Sequence, residues 1–246
     1  MRLRRVIPVL LASGFALLIA GLALSAYAAS PYGDDSYAAP GSYARQPLPP
    51  VQYTDHAQPA STGRTIPLYV DSDFPDVQRQ AIVSAMRQWN YALNGYVRFS
   101  ARVLPRDANS YDIARLRRSG AWIVAAVDSH HPIAQKGEGL HALAVTVGNG
   151  HDGFVYVIED RLGSRDLAGV IMHEFGHVLG AGHDQAGLMA PVYNAAAARC
   201  IDRDAVSMVA NAQRLPLRQL NWCEPAGYDQ RQPRSASNYP SNAAYR

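Results

Sequence analysis

The chain has 246 residues, a formal net charge of +3 and an apolar content of 48%. That is enough for one domain with a proper core and leaves room for tails. The excess charge is Arg2, Arg4 and Arg5: no acidic residue precedes Asp34, and without these three the 23 basic residues fall to 20, level with the 20 acidic ones. A neutral remainder gives no ground for a nucleic-acid partner or for attraction to a membrane surface.

Residues 1–28 read as an export signal. Arg2, Arg4 and Arg5 form a basic stretch, and Val6 to Leu24 is apolar apart from Pro8, Ser13, Gly14 and Gly21. Ala26-Tyr27-Ala28 then fits the small-x-small cleavage rule. The rival is an uncleaved anchor, because the apolar run approaches bilayer-spanning length. Cleavage makes the protein secreted or periplasmic; retention leaves the domain membrane-anchored. Cys200 and Cys223 are the two cysteines. In an oxidising compartment an even pair tends to bridge, and two buried free thiols are the alternative.

Residues 29–63 are rich in Pro, Tyr, Ala, Ser and Gln without helical or strand periodicity. They read as a flexible linker or short pro-segment. Residues 226–246 have a similar composition and read as a disordered C-terminal tail. Between them, 64–225 forms one domain. Thr65 to Val70 is a strand. Asp71-Ser72-Asp73 offers capping side chains, and Val77, Ala81, Ala85, Trp89 and Ala92 recur at helical spacing over 75–93. Gly95 stops that helix. Tyr96 to Ser100 is a short strand, and Ala121 to Val127 is an apolar run of buried-strand type. Leu140 to Val147 and Phe154 to Glu159 are strands joined by a glycine-bounded turn. A second helix spans 166–179 and a third 202–212. The fold class is α/β (α+β), with a mixed, twisted sheet of about five strands and three helices.

The second helix carries His173-Glu174-Phe175-Gly176-His177-Val178-Leu179-Gly180-Ala181-Gly182-His183. Histidines at i and i+4 share one helix face and suit one tetrahedral Zn²⁺. Glu174 is placed to act as general base on a zinc-activated water rather than as a ligand. Gly180 allows a sharp turn that brings His183 up as third ligand. Three histidines leave the open position expected of a catalytic zinc.

This pattern resembles the signature of the metzincin metallopeptidases. Gly187-Leu188-Met189-Ala190-Pro191-Val192-Tyr193 is similar to the methionine turn of the matrixin branch, the matrix metalloproteinases and their bacterial relatives. The resemblance implies a zincin catalytic domain in which Met189 floors the metal site. Pro191, Val192 and Tyr193 would wall the pocket for the residue after the scissile bond. It also implies that Leu143-Ala144-Val145-Thr146 is a cleft-facing sheet edge whose unpaired backbone groups hold an extended peptide.

There are departures. Vertebrate matrixins carry a second zinc on a His-x-Asp pair and several calcium ions. His130, His131, His141 and His151 are available here, but no His-x-Asp occurs, and they read as loop histidines. The Gly137-Glu138-Gly139 and Gly150-His151-Asp152-Gly153 loops lack a recognisable calcium pattern. The latency cysteine is absent before the catalytic helix, with Asp55 or His56 as weak substitutes. Asp184 either pairs with an amino terminus or caps a turn. The expectation is a monomeric, secreted zinc-dependent endopeptidase acting on protein or peptide substrates. The alternative is a non-catalytic zinc-binding module, secreted or anchored.

Overall fold

The structure, a computed structural model, describes residues 24–28, 52–53, 63–135, 140–163 and 166–224. Most of the export signal, linker and tail lie outside the described residues, as do Asp55, His56 and the Gly137-Glu138-Gly139 loop. Among the described residues no helix is long and apolar enough to cross a membrane.

Two short strands come first, β1 (Leu24–Ala28) and β2 (Gln52–Tyr53). The domain proper opens with β3 (Arg64–Val70), α1 (Asp76–Ala92) and β4 (Val97–Val103). Then come α2 (Ser110–Arg118), β5 (Trp122–Val127), β6 (Ala142–Gly148) and β7 (Gly153–Ile158). The short α3 (Glu159–Leu162), α4 (Leu167–Val178), α5 (Arg203–Gln213) and β8 (Cys223–Glu224) complete it.

The main sheet runs β1-β6-β7-β5-β3-β4, and β2 pairs β8 separately. β3, β4, β5 and β7 are mutually parallel where they pair, while β6 runs antiparallel to β7. Crossover helices force that outcome: α1 links β3 to its parallel neighbour β4, and α2 links β4 back to β5. Central β5 is covered on both faces. Trp122 and Val124 join the large core under α1 and α4, whereas Ile123 and Ala125 pack with Leu104 and Ile113 beside α2. This explains why β5 reads as an unbroken apolar run.

The five-stranded mixed sheet expected from the sequence is present, and β1 adds a sixth strand. β1 pairs antiparallel with β6, matching Leu24 with Val147, Ser25 with Thr146 and Ala26 with Val145. The β6 edge, expected to be unpaired, therefore carries a strand of the same chain. Among the described residues the three expected helices become five. α2 announces itself only through a capping box, in which Asn109 accepts from Asp112 N and Asp112 accepts from Asn109 N.

A second expectation is corrected at the start of α1. Asp71 and Asp73 do not cap it: the N-cap is Pro75, with no side-chain bond. Asp71 Oδ1 instead accepts from Asp73 N at 3.0 Å, closing a local turn. The far end ends as expected, with Asn94 and Gly95 at positive φ. Two side chains of α1 then fix the site's foundation. Trp89, fully buried, donates Nε1–H to Met172 O on α4 at 2.8 Å. Asn90 bonds both backbone groups of Phe99, tying α1 to β4.

Cys200 and Cys223 form a disulfide 23 residues apart. It joins the segment before α5 to β8, and β8 in turn pairs β2, so Tyr53 lies opposite Cys223.

Candidate metal and catalytic site

α4 is capped by Asp166, whose carboxylate accepts from Ala168 N. It buries nearly all of its length, so its histidines sit inside the fold rather than on a solvated face. The helix ends in a Schellman turn: Gly180 N donates to His177 O and Ala181 N donates to Gly176 O, both at 2.9 Å. Gly180 takes φ 90°, a conformation that penalises a Cβ. The turn has a second use, because Ala181 O, now aimed back at the helix, receives His177 Nδ1–H at 2.8 Å.

His173, fully buried, is held likewise by Leu188 O at 2.7 Å from Nδ1. With both Nδ1 atoms donating, both Nε2 atoms present lone pairs, and they face each other at 3.0 Å. Two such lone pairs repel unless a cation lies between them. Exposed His183 completes the group, with ligand atoms of all three rings within 4.8 Å of one another. Burial holds His173 well below the ordinary imidazole value and takes His177 to about 4, so both rings are neutral and ready to donate to a metal. This donor set fits zinc: three imidazoles, each buried one oriented by a carbonyl through its other nitrogen.

Glu174, next in sequence to His173, is fully buried. Oε2 accepts from Thr146 Oγ1 at 2.6 Å, whereas Oε1 is buried with no hydrogen-bond partner. Burial, opposed by the Thr146 bond, pushes the carboxyl up to about 8. A nearby dication draws such a value back down and favours the carboxylate.

Met189 is 1% exposed and packs directly against α4. A Cβ on Gly176 would lie 2.4 Å from Met189 Sδ and 2.9 Å from Cε, so glycine is what lets the methionine close on the helix. The loop shuts through Asp184 N to Met189 O at 2.9 Å, and the Asp184 carboxylate accepts from Gln185 N. Pro191 and Val192 are exposed beyond it. Half-buried Tyr193 packs on the core, and its hydroxyl accepts from Asp166 N at 3.2 Å.

Two side-chain roles in this neighbourhood escaped the sequence reading, which used only the backbone of the strand that holds Thr146. That of Thr146 is one. That of Asp202 is the other: while Oδ1 caps α5 at Ala205 N, Oδ2 accepts from Leu188 N at 2.7 Å. It thereby steadies the peptide unit whose neighbouring carbonyl orients His173. Asp202→Asn keeps a competent helix cap but places an amide where Leu188 N needs an acceptor. The expected result is about tenfold weaker zinc binding, the low end for outer partners of a metal ligand, measured by competition with a chromophoric chelator.

A family model described as Matrixin matches residues 74–211. No curated protein sequence matches the chain. Among solved structures it is similar to high choriolytic enzyme 1, a hatching-enzyme zinc-protease from the medaka fish Oryzias latipes. That match is 21% identical and covers 52% of this chain and 50% of that one, with a TM-score of 0.30. It is also similar to metalloproteinase-II from Bacteroides fragilis, 11% identical over 63% of this chain and 55% of that one, TM-score 0.36. The chain thus spans about half the length of these two proteins. The family match covers more than half of the chain and contains the three-histidine group, Glu174 and Met189, so the chain belongs to the matrixin family of zinc metallopeptidases.

Proposed function

We propose that this is an exported endopeptidase that cuts internal bonds of extended peptides, with zinc held by His173, His177 and His183. The observation that carries the reading is the convergence of three ring nitrogens, two of them on the helix that also carries a buried glutamate, next in sequence to His173, with one oxygen unpartnered. Bound zinc supplies an acidified water and polarises the scissile carbonyl. Glu174 takes the proton from the attacking water through Oε1 and returns it to the leaving amine. Met189 keeps the floor of the site dry, and Pro191, Val192 and Tyr193 wall the pocket for the residue after the cut. The substrate lies along β6, where β1 now pairs, once cleavage after Ala28 has removed residues 1–28. The product of that cleavage is a secreted or periplasmic monomer.

The test is hydrolysis of casein by the exported protein, with and without a zinc chelator. Cleavage that stops on chelation and returns with added zinc supports the proposal. Stoichiometric zinc binding without cleavage of casein favours the non-catalytic module instead.

A further inference from the structure

A glutamate has three side-chain torsions, and a base that takes a proton from one direction needs them held. The hydrogen bond that holds the Glu174 carboxyl comes from outside α4. The grip comes from the sheet. Thr146, 4% exposed, is the hydroxyl residue in a stretch of β6 whose preceding members Leu143, Ala144 and Val145 are apolar and fully buried. Its Oγ1 is 2.6 Å from Glu174 Oε2 and 3.3 Å from Glu174 O, so the short contact is to the carboxyl group. Glu174 Oε1 has no partner.

We propose that Thr146 is the positioning residue for Glu174: its hydroxyl pins Oε2 and leaves Oε1 as the oxygen that handles the proton. This rests on Glu174 being the base of a peptidase. The placement has a second element. Thr146 lies on the edge of the main five strands, and its backbone stands opposite Ser25 in the β1 pairing. One residue thus stands in register with the strand on that edge while its side chain reaches the base. Substrate docking and base orientation share a single residue.

The bland reading is a buried threonine satisfying its hydroxyl on the nearest acceptor. Two variants of the exported, zinc-loaded protein separate the readings. Thr146→Val keeps shape and removes the donor; Thr146→Ser keeps the donor and removes the methyl group. The expected result for Thr146→Val is a fall in kcat of about tenfold, the worth of one hydrogen bond to a charged group, with KM and zinc affinity unchanged. Thr146→Ser recovers most of kcat despite its smaller volume. A thermal-unfolding cycle supplies a readout independent of turnover. Thr146→Val lowers the melting point in the wild-type background and much less in a Glu174→Ala background, because the partner is already gone.

Unchanged kcat in Thr146→Val, a serine variant as slow as the valine, or equal melting effects in both backgrounds would each overturn the proposal. If the wild-type protein itself cleaves nothing, the peptidase reading fails and Thr146 has no base to position. The melting cycle then still reports whether the contact exists, so the two failures are told apart.

Discussion

Glu174→Gln abolishes most peptide hydrolysis, by at least about 10²–10⁴-fold, while zinc stays bound. The reason is the division of labour in the site. The three ring nitrogens converge on one point, and the two buried rings are oriented by Leu188 O and Ala181 O; none of this passes through Glu174. The glutamine is nearly isosteric, and its carbonyl oxygen accepts the Thr146 hydroxyl as Oε2 does. What disappears is the ability to take a proton and give it back. The measurement is turnover on casein beside zinc content by atomic absorption. A variant that keeps wild-type turnover removes Glu174 from the mechanism, and one that loses both turnover and zinc makes it a structural part of the metal site.

His183→Ala weakens zinc binding by more than the roughly 10–100-fold that changes to outer partners cost, since it deletes a direct donor. His173 is buried, so its truncation confounds metal loss with a cavity. His183 is exposed on the turn after α4, and an exposed substitution usually shifts stability by no more than about 0.5 kcal/mol. Metal-free wild-type and variant proteins therefore melt together, while competition with a chromophoric chelator separates them. Excess zinc restores part of the turnover. Equal zinc affinity in the two proteins would place the third donor elsewhere.

The parts of this molecule legible in the sequence are those set by local spacing. His173 and His177 one turn apart and Gly180 at a helix end needed no tertiary information, whereas Met189 was legible through the resemblance of its loop to the matrixin methionine turn; the structure groups the histidines and sets Met189 against Gly176. Central β5 was legible as a buried strand because a continuous apolar run marks burial on both faces. The helix α2 was not, because it buries little beyond Ile113, leaving almost no apolar periodicity to detect. Its capping box was the available signal. Asp71 and Asp73 misled because the same side chains that cap helices also close turns of their own. The side-chain roles of Thr146 and Asp202 were invisible for a different reason: their partners, Glu174 and Leu188, are distant in sequence and meet them only after the sheet, helix and loop have packed. The strand β1 on the β6 edge lay hidden within an apolar segment whose composition spoke of export.

The close approach of Met189 to Gly176 bears on how such motifs are written. In pattern notation the residue before the second histidine is a wildcard, yet here it is dictated by a loop thirteen positions downstream in the chain. The two sites are free to diversify only as a pair: a side chain at 176 demands a shorter one at 189. Transplanting the histidine-glutamate helix into another scaffold without its glycine, or without the loop that fills the gap, would carry over the donors and lose the surface they rest on.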